Sequence, residues 1–425
     1  MKTPPKYLLS AQKSEPVVHI TDIIRTIEYT LATHDIRAVV VEVHVAPQFT
    51  EYSLALAKGV RLAQVKSKRD DIALALGRED IEITQIIGKP YVGIRIGNDQ
   101  SGSFTLGTID GSPAGTLSVT VGVDGRNQTR QVDITEMPHL LIAGTTGSGK
   151  SAYMKSLLTS LLMHYAPDTL RLVLIDPKMV EFVDLDHLPH LLTPVVTDAA
   201  SAVQVLLHLT AEMDRRYEQM KATGSKQADQ YIVVAIDELA DLVMQQKDAA
   251  DLIIRLAQKG RAAGIHVIAA TQRPSAKVVD GLLKANFPAR ACFAVTSQNE
   301  SRVVLDENGA ELLAGKGDYL LKMPGKPIER MQAPYVPDED LELVAGWWKA
   351  QGEPEYVELG ATVTPDELVE KAAQIVRSEN RASATFLQRV LRVGYAKAAA
   401  VIDDLESMGV ISAAGEGGMR EVYHA

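Results

Sequence analysis

Along the middle of the chain one hydrophobic pattern recurs: a short unbroken apolar run, a polar or glycine-rich stop, then a longer stretch whose apolar residues fall three and four apart. The runs are "HLLIAG", "RLVLIDP", "YIVVAIDE", "IHVIAATQ", "RACFAV" and "DYLLKM". Apolar runs without polar alternation predict strands buried on both faces, and the helical segments between them predict crossovers, so 119–350 reads as an α/β unit around a largely parallel sheet. In the helix expected over 151–166, Met154, Leu157, Leu158, Leu161 and Leu162 recur at i, i+3, i+4, i+7 and i+8 and form one stripe that docks on the sheet. Residues 1–118 pattern differently. A helix-like "ITDIIRTIEYTLATHDI" and β-branched runs "AVVVEVHV" and "YVGIRIG" predict a small α+β domain whose sheet is covered on one face. A polar joint at 351–362 leads to 363–425, which read as three short helices and a β-hairpin, with Gly415, Gly417 and Gly418 permitting its turn.

Composition narrows the class. At 425 residues the chain exceeds one ordinary core, in keeping with several domains, and 46% hydrophobic with 23% charged residues is the balance of a folded globular protein. No apolar run approaches the roughly 20 residues of a membrane helix, and "MKTPPKYLLSAQ" is too short an apolar start for a signal peptide. The expectation is a cytoplasmic protein without membrane contact from this chain, or the soluble part of a membrane-anchored one. The lone Cys292 excludes an internal disulfide. The histidines show no metal spacing, and His187 and His190 in "DHLPHLL" suit a structural loop better than a metal. A net charge of -10 argues against a generally basic nucleic-acid binder, but an acidic total can conceal a basic inner lining.

The chemistry is concentrated in Gly144-Thr145-Thr146-Gly147-Ser148-Gly149-Lys150-Ser151, which matches GxxxxGK[ST] between an apolar strand and an amphipathic helix. Glycines let backbone N–H groups turn inward around phosphate, the helix start adds its positive end, Lys150 reaches the β- and γ-phosphates of ATP, and the Ser151 hydroxyl suits Mg²⁺. A second strand, "YIVVAIDE", ends in Asp237 and Glu238. At the carboxyl end of a parallel sheet Asp237 would serve the Mg²⁺ shell and Glu238 the attacking water; a helix N-cap pair is the plainer alternative. Thr271 and Gln272 end another strand and either sense the γ-phosphate or form an ordinary loop. Asp176 and Lys178 in "LIDPK" are explained nearly as well by a local ion pair.

With "AGTTGSGKS", "LIDPK", "PHLLTPVVTD", "AEMDRRYEQM", "VVAIDELADL", "AQKGRAAGIHVIAATQRPS" and "LLKANFPARACFAV" in order, the chain resembles the FtsK/SpoIIIE family of DNA translocases over nearly its whole length. The resemblance implies an α domain at 1–118, a RecA-like β domain at 119–350 and a γ winged-helix domain at 363–425. It further implies a homo-hexameric ring that threads double-stranded DNA, work in chromosome segregation at division, and contact between the γ domain and tyrosine recombinases. Arg261 matches the arginine that related motors lend to a neighbouring subunit's site, with Arg255 and Arg302 as weaker candidates.

The sequence departs from the family pattern in three ways: no membrane region precedes the α domain, only ten residues, "KATGSKQADQ", stand where division translocases carry a longer insertion, and the γ domain is altered. In "TFLQRVLRVGYAKAAAVIDDLESMGV", Leu387, Val390 and Leu391 give one helix an apolar face, Gly394 marks the turn, and Ala399, Ile402 and Leu405 face the next helix inward. Arg389, Arg392 and Lys397 would lie near phosphates, and Asp403 and Arg420 complete the candidate DNA-facing set. The family's base-reading asparagine, arginine and glutamate correspond to Ala396, Ala400 and Asp403, so two bidentate contacts are lost. A protein-secreting ATPase of the same superfamily and an ATP-gated DNA-binding regulator are the competing functional readings. The winged helix argues against the first, and Glu238 with a trans arginine against the second.

Overall fold

A computed structural model describes the chain apart from residues 87, 100–101, 226–227, 360–364, 392–394, 414–419 and 424–425; of 365–368, 371 and 395–397 it describes the backbone alone. The chain forms two compact units, Met1–Val357 and Glu358–Ala425.

The larger unit is organised by a nine-stranded sheet. Five parallel strands lie in the order Leu170–Ile175, Tyr231–Ile236, Ile265–Thr271, His139–Ala143 and Ala289–Phe293. The sheet then continues antiparallel through Asp318–Lys322, Glu329–Gln332, Ser118–Asp124 and Thr129–Asp133. "DYLLKM" is thus a strand, as expected, but an antiparallel one. Helix Lys150–His164 is buried nearly all round rather than along one stripe, because helix Asp338–Lys349 closes over it and Trp348 donates from its indole N–H to the Leu162 carbonyl at 2.9 Å. Leu157, Leu158, Leu161 and Leu162 are fully buried there, each contributing roughly 1.5–3 kcal/mol relative to exposure. Leu9, Leu106 and Leu117, from the N-terminal region, pack into this same core.

The α+β part is a four-stranded antiparallel sheet in the order Ala38–Val45, Phe49–Leu56, Tyr91–Gly97 and Ile81–Gln85. Helices Ile20–Thr33 and Arg69–Leu76 bury Ile23, Ile27, Leu31 and Ile72 against one face, as the alternation of the strands predicts. Phe49 joins this sheet to the nine-stranded one. The Arg330 guanidinium lies 4.7 Å from its ring centroid and forms a 2.7 Å ion pair with buried Asp318.

The smaller unit contains helices Pro365–Glu379, Ala384–Leu391 and Tyr395–Ser407 and an antiparallel bridge between Ile411 and Val422. Leu387, Ile402 and Leu405 enter its core with Phe386, Ala398 and Val401, while Leu391 and Ala399 are half-buried. Val390 does not enter: it is 42% exposed, since the packed stripe runs through Phe386, Leu387 and Leu391 and leaves its side chain in solvent. Gly394, Gly415, Gly417 and Gly418 lie outside the described residues. Among the described residues no helix is long and apolar enough to cross a membrane.

Candidate nucleotide-binding site

The four parallel strands ending at Ala143, Ile175, Ile236 and Thr271 point the same way, so the residues that follow each of them, Gly144, Asp176, Asp237 and Gln272, meet at one edge. The loop 144–149 turns there because its glycines adopt backbone angles that other residues avoid. Gly147 has φ +79° and Gly149 φ +108°, and a Cβ on Gly149 would stand 2.5 Å from the backbone nitrogen of Gly317. That nitrogen donates to the Ser148 carbonyl at 2.9 Å, so the turn before the Asp318 strand braces the loop from behind. Thr145 ties the loop to the next strand through the Ala294 carbonyl, and the Ser148 hydroxyl donates back to the Thr145 carbonyl. The result is a cavity of about 330 Å³ whose lining includes Thr146, Lys150, Ser151, Glu181 and Gln272.

Lys150 opens the helix and is only 3% exposed. Its ammonium donates to the Asp237 carbonyl at 3.0 Å and lies 3.2 Å from the Asp237 carboxylate, a buried pair whose charges offset each other. Glu238 occupies the N-cap position of helix Leu239–Gln245 but does not cap it. Its buried carboxylate turns to the neighbouring strand, accepting from the Thr271 hydroxyl at 2.8 Å and the Gln272 backbone N–H at 3.1 and 3.2 Å. Thr146, in the phosphate loop, donates to the Gln272 side-chain carbonyl at 3.0 Å. The hydroxyl of Ser151 and the carboxylate of Asp237 are hard oxygen donors on adjoining elements, the set that suits Mg²⁺.

The local ion pair that accounts for Asp176 and Lys178 nearly as well as a site role is not formed. The Asp176 carboxylate is consumed by backbone N–H groups of Lys178, Val180, Glu181 and Phe182, which hold the loop after its strand. Lys178 instead reaches Glu238 at 3.6 Å and Asp241 at 3.5 Å. No spacing rule reveals that contact, because it depends on which strands are neighbours. The Gly317 contact had a fainter signal in "GKGD", whose glycines permit close approach of backbones.

Arg261 lies elsewhere. It precedes strand Ile265–Thr271, so the strand's seven residues, roughly 20 Å, separate it from the edge that holds Gln272. It is exposed and donates to the Thr135 carbonyl at 3.1 Å. Arg255 is paired with Asp214 and Arg302 with Asn308. His190 donates from Nε2 to the Tyr165 carbonyl and meets the Trp348 ring edge-on, and the described residues contain no cluster of metal-ligating groups. In the smaller unit Arg389, Ala400 and Asp403 are exposed, whereas Arg420 is engaged by the Glu406 carboxylate and the Ser412 carbonyl. Arg392 and the side chains of Ala396 and Lys397 are outside the described residues.

A phosphate loop on a central strand, with acidic and polar residues at the ends of its neighbours, defines a P-loop nucleotide-binding protein of the RecA-like class. The FtsK/SpoIIIE family model matches residues 112–231 and 225–276, the FtsK alpha domain model 4–98 and the FtsK gamma domain model 364–425. The chain belongs to the FtsK/SpoIIIE family. It is 39% identical to the DNA translocase FtsK of Leptospira interrogans over 92% of this chain and 45% of that protein, and so spans about half the length of the curated relatives it matches. Among solved structures, the pCW3 conjugation coupling protein TcpA in its monomer form with ATPγS has a similar fold (TM-score 0.53, 23% identity, 78% of this chain and 100% of that one). The cytoplasmic domain of the Thermomonospora curvata type VII secretion ATPase EccC is also similar, with a TM-score of 0.52 and 27% identity over 60% of this chain and 34% of that one.

Proposed function

We propose that this chain hydrolyses ATP and uses the energy to move double-stranded DNA through a ring of six copies. The observation that carries the reading is the convergence of Lys150, Asp237, Glu238 and Gln272 around the braced phosphate loop. Lys150 and the loop N–H groups hold phosphate oxygens, Ser151 and Asp237 would hold Mg²⁺, which supplies charge compensation, and Gln272 senses the γ-phosphate. Water oxygen bonds to the γ-phosphorus, the bond to the β-phosphate oxygen breaks, and the water proton passes to the Glu238 carboxylate, yielding ADP and phosphate. Arg261 is too far from its own site to take part and completes a neighbour's. An arginine supplied in this way stabilises the transferring phosphoryl group and makes turnover depend on assembly.

We assign 1–118, 119–350 and 363–425 as α, β and γ domains, the last serving duplex DNA and a tyrosine recombinase, in keeping with a role in chromosome segregation. Ala400, exposed on the second helix of the γ pair, can touch a thymine methyl but offers no hydrogen bond, so phosphate contacts from residues such as Arg389 dominate and base preference is slight. The likeness to EccC keeps a protein cargo as the second reading, and the γ match weighs against it. ATPase rates with and without duplex DNA decide: stimulation is expected, and steady turnover indifferent to DNA would transfer the reading to a protein cargo.

A further inference from the structure

Glu238 is the residue to which the reading above gives the proton of water, yet two hydrogen-bond donors and an ammonium already face its carboxylate. One oxygen receives the Thr271 hydroxyl at 2.8 Å and the Gln272 N–H at 3.2 Å; the other receives the same N–H at 3.1 Å and the Lys178 ammonium at 3.6 Å. An ionised carboxylate offers about four acceptor positions. Thr271 and the shared Gln272 N–H are its hydrogen-bond donors, and the oxygen that faces Lys178 carries only that shared N–H, so it is the one a water reaches when the ammonium withdraws. Thr271 and Gln272 are fixed by the strand end, and the Glu238 side chain itself is 2% exposed. Lys178 is the movable partner, with the longest contact and 41% exposure.

Lys178 already shares its charge with a second carboxylate, onto which it can move entirely. The Asp241 carboxylate lies 3.5 Å from its ammonium, three residues beyond Glu238 on the following helix and 28% exposed. Its backbone, meanwhile, is pinned, because buried Asp176 holds the N–H groups of Lys178, Val180, Glu181 and Phe182 within 3.2 Å. Only the side chain swings.

We propose that Lys178 is a positioning residue that latches Glu238 against the end of the sheet and frees it by shifting onto Asp241. The latch rests on the assignment of Glu238 above. It restrains hydrolysis until the neighbourhood of Lys178 changes, which makes the strand end after Ile175 a control point for the strand end after Ile236.

The test measures ATP hydrolysis by the full chain without DNA. Lys178→Met should raise kcat roughly two- to fivefold, the factor that a partly exposed ion pair supports, with KM for ATP unchanged. Asp241→Asn removes the alternative seat and should lower kcat, and Lys178→Arg should stay near the parent. Adding Glu238→Gln to Lys178→Met should abolish the gain. A folded Lys178→Met chain with unchanged or reduced kcat, or with its effect confined to KM, overturns the latch while leaving the site reading intact. Full turnover in Glu238→Gln alone would overturn both.

Discussion

Strands His139–Ala143 and Ile265–Thr271 run side by side in one direction, and the two ends of the pair carry opposite chemistry. At the carboxyl end Lys150, Asp237, Glu238 and Thr271 are buried and paired, charge against charge or donor against acceptor. At the amino end sit His139 and His266, their rings 6.3 Å apart in the core, and burial lowers the first to about 3 and the second to about 4, outweighing the hydrogen bond to the Pro138 carbonyl and the nearby Asp133 that favour a charged His266. His139 accepts from the Val267 backbone N–H, and the Nε2 atoms of both rings have no hydrogen-bond partner among the described residues. A buried charge is tolerated where loops and helix starts deliver partners, and is suppressed where burial outweighs the few charges nearby. The same sheet therefore maintains a charged edge and a neutral one.

Arg261 is the residue that would break this separation, because it stands at the neutral edge and is assigned to a neighbour's charged one. Arg261→Ala should cost about a thousandfold or more in turnover of the assembled ring, and mixing it with Lys150→Ala subunits should restore activity at interfaces that pair an intact loop with an intact arginine. Mixed rings shown to form but lacking any recovery would sink the assignment. Within one chain, Glu238→Gln should slow hydrolysis by roughly 100- to 10,000-fold while ATP stays bound, and Lys150→Ala should remove nearly all turnover; binding of a fluorescent ATP analogue separates the two. Near-normal rates in either variant would remove the charged edge from the chemistry. The neutral edge should fail in acid. His139 and His266, together with His190, which burial lowers to about 4, take up protons in the unfolded chain near its ordinary value of 6.5 but resist them when folded. Their contribution is complete above pH 6.5 and is lost as pH falls toward 4, on the order of 1–2 kcal/mol for each by pH 5. Thermal unfolding followed from pH 7 to 5 measures it, and a midpoint that does not move would show that the rings are not held neutral.

Much of this arrangement was legible in the chain. Each apolar run named above became a strand, and the phosphate loop, Asp237, Glu238 and Gln272 were readable because a parallel sheet places successive strand ends together. What escaped notice depends on lateral order. "LSVTVGVD", "TRQVD" and "ERMQ" are short or half-polar strands that exist because neighbours pair with them. Proximity in sequence makes an ion pair of Lys178 with Asp176 nearly as good an account as a role at the strand end, but backbone N–H groups hold that carboxylate instead. Val390 was placed inward on periodicity alone, which does not register where a helix's packed stripe runs.

The bracing of the phosphate loop bears on how such a protein could be re-engineered. Gly149 tolerates no Cβ because Gly317 stands behind it, and a Cβ on Gly317 would in turn lie 2.7 Å from the Gln332 side-chain nitrogen. Asp318, next along, is held by Arg330, whose guanidinium rests on Phe49 of the N-terminal sheet. A chimera that imports a foreign loop between residues 144 and 151 without its matching turn brings in a lock without its strike plate. The portable module is discontinuous, and libraries aimed at a new nucleotide preference should vary residues 315–318 and 330 together with the loop.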